Sequence, residues 1–172
     1  MTLPFALALS LSLAAPQQPP QPLPLITVQA SDVASQLRLY VAFCQTTAKP
    51  EYIHDCLSER FDTAANALGA YGTTAELYRT LKTASHDLGA ISRKYASPAA
   101  QSLTLQSAAF TTSRPIRPVA PENLAPANAA ATAVLEEAEL TLLRSSTRSP
   151  DVLAFQQVAE IIGSAKVLLR AG

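Results

Sequence analysis

The sequence predicts an all-α protein: a small bundle of about five helices that opens with a disulfide-clamped helical hairpin and includes a Pro-rich crossover. Three observations predict it. Apolar residues recur every three or four positions over five separate stretches, the spacing of a helix face rather than a strand. The two cysteines, Cys44 and Cys56, sit six residues either side of Pro50. The remaining prolines cluster mainly in residues 16–24 and 111–126, where no helix interior is expected.

The first helix is expected to follow Ser31-Asp32, which offers a cap, and to reach about Lys49. Its apolar stripe is Val33, Leu37, Val41 and Cys44, with Tyr40 alongside. Pro50 suits the first turn of a second helix, whose buried face is Ile53, Leu57, Phe61, Ala64 and Leu68. Gly69 and Gly72 supply its stop. Thr73 with Glu76 has the spacing of a capping box for the third helix. That helix alternates four and three through Leu77, Leu81, Ala84, Leu88, Ile91 and Tyr95, the seam of bundle packing.

From Ser97 the pattern is ambiguous. Pro98 suits the start of a short helix through Phe110, while Ser102-Leu103-Thr104-Leu105 alternates like a strand. Residues 111–126, with Pro115, Pro118, Pro121 and Pro126, read as an extended crossover over the bundle. Helix resumes over 127–148 with Val134, Leu135, Ala138 and Leu142 inward. Ser149-Pro150-Asp151 then starts a last helix that buries Phe155, Val158, Ile162, Ala165 and Leu169, widened by Ile161 and Leu168. No internal repeat is visible.

Composition bounds the rest. The 172 residues fit one domain, 48% of them are hydrophobic, and 15% are charged. That is too apolar for a disordered chain. Thirteen basic residues balance thirteen acidic ones, so the chain lacks the basic excess of a nucleic-acid binder. Residues 1–15 form an apolar run ending in small residues, expected to be a signal peptide cleaved after Ala14 or Ala15, or extending to 30 with cleavage after Ala30, although the first basic residue is Arg38. Residues 16–30 are then a Pro/Gln-rich linker, and residues 31–172 a single helical domain. No later apolar run approaches the twenty residues of a membrane span. Nine Arg to four Lys, with abundant Ala, favours a bacterial envelope, so the expected location is periplasmic or secreted.

In that setting Cys44 and Cys56 are expected to pair, because antiparallel helices joined at Pro50 bring them level. The alternative is two reduced core thiols. Closing such a loop is worth on the order of 3 kcal/mol. An exported bundle that opens with a disulfide-clamped hairpin resembles the plant invertase and pectin-methylesterase inhibitors, a resemblance of architecture alone. Those inhibitors carry a second cysteine pair that is missing here. The resemblance implies that such an architecture serves as a protein-binding module.

No metal or other cofactor is expected. His54 and Cys56 are two apart on a helix and point away from each other, whereas chelating helices use spacings of three or four. His54-Asp55 and His86-Asp87 are adjacent pairs whose side chains diverge, and both imidazoles read as surface residues. There is no GxSxG and no phosphate-cradling glycine loop. Glu136, Glu137 and Glu139 read as a solvated face.

Two charge stripes are the candidate site. Glu51, Asp55, Glu59 and Asp62 form an acidic stripe assigned to the outer face of the second helix. Arg79, Lys82, His86 and Arg93 form a basic stripe on the third. They read as solvated or mutually paired faces, or as docking surfaces for another envelope protein or an anionic surface component. The function expected is therefore a non-enzymatic protein-binding or structural module of the cell envelope. A small-ligand or lipid carrier, with its cavity between the last helix and the crossover, is the alternative. An enzyme would require the fold to gather His54 or His86 with a carboxylate in a pocket.

Overall fold

The computed structural model describes residues 30–170, so the signal-peptide expectation and nearly all of the linker lie outside the described residues. Among the described residues five α-helices form: α1 (Ala30–Thr47), α2 (Ile53–Ala67), α3 (Ala75–Lys94), α4 (Leu124–Ser146) and α5 (Val152–Ala165). Each packs on its neighbours in sequence, and α5 closes the ring onto α1. One continuous apolar cluster, drawn from all five helices, fills the interior. The fold is the all-α bundle that the helical periodicity predicts. Among the described residues no helix is long and apolar enough to cross a membrane.

Three helices are entered through short 3₁₀ turns, Pro50–Tyr52, Gly72–Thr74 and Pro121–Asn123, rather than through side-chain caps. Pro50 and Pro121 each open their turn, where a missing N–H costs nothing. Gly72 adopts φ +78°, a left-handed conformation that glycine takes without steric penalty. The predicted capping box does not form: the residue before α3 is Thr74, it makes no capping bond, and Glu76 pairs with Arg79 instead. Ser31-Asp32 likewise falls inside the first turn of α1. α4 begins three residues earlier than predicted, with Pro126 as its third residue. First-turn N–H groups have no intrahelical acceptor, so Pro126 removes no helical bond.

The hairpin clamp is present. Cys44 and Cys56 form a disulfide with Cα atoms 5.8 Å apart, both fully buried in the core. Their register follows from the turn at Pro50, as the symmetric spacing predicts.

Residues 96–119 form neither the short helix nor a simple crossover. They make an antiparallel ribbon that leaves the end of α3 and returns to it, closed by Ala96↔Val119, Leu103↔Ile116 and Gln106↔Thr111. Ala120 N–H donates to Tyr95 O at 2.8 Å, fixing the two ends together. Pro115 and Pro118 lack the N–H that a continuous ladder needs, so the pairing stays as isolated bridges. Leu105, Thr112, Ile116, Pro118 and Val119 are buried in the ribbon. The strand-like alternation at 102–105 is therefore the outer arm of this ribbon.

Candidate functional site

Residues Tyr52 to Phe61 are buried without interruption, which an amphipathic helix with one solvent face cannot achieve. The reason is the ribbon, whose returning arm runs along α2. Val119 N–H donates to the backbone carbonyl of Glu51 at 2.8 Å. One turn further, Asp55 accepts from both Nη atoms of Arg114, at 2.7 and 2.8 Å, and from the Arg117 backbone N–H at 2.7 Å. Another turn on, Glu59 accepts from the Ser113 N–H at 2.9 Å and the Ser113 hydroxyl at 2.7 Å.

Glu59 is also paired with the buried guanidinium of Arg60, which donates to Thr111 O at 3.3 Å. That guanidinium lies 4.9 Å over the Tyr40 ring and 5.5 Å over Phe43. Phe110, at the ribbon's tip, meets both rings edge-on. Burial pushes Glu59 up, but the hydrogen bonds from Arg60 and Ser113 outweigh it and hold the carboxyl below its ordinary range. Hydrogen bonding to Asp55 holds the Arg114 guanidinium above its ordinary value.

The acidic stripe is thus corrected. Asp55 and Glu59 are 1% and 2% exposed and serve as the internal dock for the ribbon, not as an outer face. Glu51 is half-buried and contributes its carbonyl. Asp62 pairs with Lys82 of α3 at 2.5 Å. Helical periodicity alone places the stripe outside, because the residues that cover it lie more than fifty positions later. The available signal was Arg114 and Arg117, two cations in a Pro-rich segment of a sparsely charged chain.

The basic stripe divides. Arg79 pairs with Glu76, and Lys82 bridges Asp62 and, at 3.3 Å, Asn66. Exposed His86 folds back to place Nδ1 3.0 Å from Asp87 Oδ1, despite the divergence expected of adjacent residues. Arg93 is exposed and without an ion-pair partner among the described residues. The expected solvated Glu face also divides. Glu137 is exposed, 4.0 Å from Arg144, but Glu139 is half-buried and bonds Lys166 of α5 at 2.6 Å.

His54 is not a surface residue. It is fully buried, and neither ring nitrogen reaches a partner at hydrogen-bonding geometry. The Asn128 side chain lies beside the ring without closing that bond. Burial lowers its pKa, opposed only in part by Asn128 and Asp55. His86 does share a cleft with the Glu59 and Asp62 carboxylates, the arrangement an enzyme would require. The hydroxyl hydrogens there are already donated, however. Ser58 and Ser85 donate to each other's backbone carbonyls at 2.8 and 2.7 Å, and Ser113 donates to Glu59. The Ser58 and Ser85 hydroxyls thus face backbone carbonyls, and the Ser113 hydroxyl faces a carboxylate that the Arg60 guanidinium also holds. Among the described residues no group of three His, Cys, Asp or Glu is placed to hold a metal ion.

A groove of about 490 Å³ opens between α3 and α4. Its floor is small and apolar, with Ala84, Val134 and Ala138, and its rim carries Arg79, Asp87 and Glu137. Past Arg79 it continues to a second hollow between Gly72-Thr73 and Ser149-Pro150, so α3 and α4 run antiparallel along it. Helical periodicity puts Ala84 on the seam of α3 and Ala138 on the inward face of α4 without fixing how far apart the two helices stand. α5 packs instead on α1 and α4, and the ribbon on α2 and α1, so the cavity expected between the last helix and the crossover is not where this opening lies. No protein-family model matches this chain, and no curated protein or solved structure matches it either.

Proposed function

We propose that this chain is a non-enzymatic binding module that works in the periplasm or outside the cell and holds a segment of another protein along the α3–α4 groove. The groove carries the reading: an apolar floor between two helices, bordered by charges of both signs. Such a channel suits an amphipathic segment laid between the helices, with small floor residues admitting its apolar side chains. From Glu76 to Asp87 it follows α3 for about 16 Å, three turns of helix. The buried disulfide supports a compartment outside the cytosol, where such bonds persist.

A photo-cross-linking residue at exposed Ala133, on the groove, tests this in the native host, with the same residue at exposed Gln157 of α5 as control. The expected result is one protein adduct from position 133, absent from 157 and lost when Thr83→Trp fills the groove. The same adducts from both positions, or an adduct that survives Thr83→Trp, would overturn it. The groove volume also falls within the range of small-molecule sites, roughly 300–1,000 Å³. A small apolar ligand is therefore the second reading, supported if a small added mass replaces the protein adduct.

A further inference from the structure

Where α2, α3 and the ribbon meet there is a separate cleft of about 240 Å³, lined by Ser58, Ser85, Gly89, Arg93, Ser113 and Arg114, with Glu59, Asp62 and His86. We propose that it binds a small oxyanion, a phosphate or carboxylate group, between Arg93 on the α3 wall and Arg114 on the ribbon wall.

The charges support an anion despite the two carboxylates. Glu59 is matched by Arg60, Asp62 by Lys82, and the Asp55 beneath by Arg114. Arg93 has no such match, so its guanidinium is the charged group of the lining that no carboxylate pairs. Its guanidinium is also drawn toward the cleft floor. A Cβ on Gly89 would lie 3.3 Å from Arg93 Nη1 and 2.9 Å from Ser58 Oγ, so the guanidinium lies close over the glycine, next to Ser58. Arg93 brings a guanidinium that no carboxylate occupies, and Arg114, whose Nη atoms hold Asp55, still offers its Nε–H; both line one cavity large enough for a single oxyanion, and charge-assisted donors of this kind are what carboxylate and phosphate accept. A bound oxyanion would tie the ribbon to α3, an attachment that the α2 contacts do not provide.

The test is an NMR amide-shift titration of the full domain with sodium phosphate, sodium acetate and sodium chloride at matched ionic strength. Saturable shifts at Gly89, Arg93, Ser113 and Arg114 are expected with phosphate, acetate or both, and none with chloride. Saturation by phosphate alone assigns a phosphate-type ligand, and saturation by acetate alone a carboxylate. Arg93→Gln is expected to weaken the binding about tenfold or more, while Arg38→Gln, on exposed α1 surface, leaves it unchanged. Slower amide exchange in residues 113–116 with the ligand present is the accompanying readout. Saturation by neither anion, shifts equal to those of chloride, or unchanged binding in Arg93→Gln would overturn the proposal.

Discussion

Asp55 of α2 and Arg114 of the ribbon form a two-pronged ion pair, 2.7 and 2.8 Å, across fifty-nine residues of chain. Asp55 is buried, whereas the Arg114 side chain is 43% exposed, so the two ends are not equivalent. Asp55→Ala strands Arg114 and the Arg117 N–H together and is expected to cost about 3 kcal/mol. Arg114→Ala leaves Asp55 one backbone donor and an open side, and is expected to cost about 1–2 kcal/mol. Chemical denaturation of both single variants and the double variant checks this. Losses that simply add would show that the pair is not the ribbon's anchor.

Acid should loosen the protein in two steps. The pKa of His54 is below its ordinary 6.5, so the unfolded chain takes up the proton more readily than the native one. Stability from this group is complete above about 6.5 and falls as pH drops below it, by at most about 1.4 kcal/mol per pH unit. Glu59 is held below its ordinary 4.5, so its contribution is present above that value and is lost as pH falls further. His54→Leu is expected to flatten the first step and leave the second. Urea midpoints measured between pH 8 and 3 read both steps, and an unchanged upper slope in His54→Leu would rule out His54 as its cause.

Two helical glycines should respond differently to alanine. At Gly89 a Cβ would meet Ser58 Oγ at 2.9 Å, within the reciprocal Ser58–Ser85 bonding that joins α2 to α3. Gly89→Ala is expected to cost about 1–2 kcal/mol. At Gly163 the obstacle is the Glu139 carboxylate at 2.8 Å, the movable end of a flexible side chain. There the gain in helix propensity, up to about 1 kcal/mol, is expected to offset the disturbed Glu139–Lys166 pair and leave stability within about 0.5 kcal/mol. Thermal denaturation distinguishes the two.

The Cys44–Cys56 bridge closes the α1–α2 hairpin, and paired replacement by alanine is expected to cost about 3 kcal/mol. Both sulfurs are buried, so dithiothreitol should reduce the bond at a rate set by unfolding rather than by reagent concentration. Rapid reduction under native conditions would contradict that.

The helices and the clamp were legible because each depends on local pattern: the four-three spacing through Leu77, Leu81, Ala84 and Leu88, or two cysteines placed evenly about Pro50. What the pattern did not reveal depends on distant partners. Asp55 and Glu59 have the spacing of a solvated stripe whether water or a ribbon covers them, and only residues 111–119 decide which. His54 is polar on a helix and so reads as exposed, yet α4 and the ribbon enclose its turn. The groove was hidden for the opposite reason. Ala84, Ala133 and Ala138 suit tight packing and an open channel equally, and the choice depends on how far apart α3 and α4 settle.

Native mass spectrometry of the protein isolated from its own host, compared with its Thr83→Trp variant, tests the central claim most directly. The account predicts an oxidised Cys44–Cys56 pair in both proteins and an added mass on the wild-type chain that the groove-filling variant loses. A bare chain in both, or the same added mass on both, would contradict it.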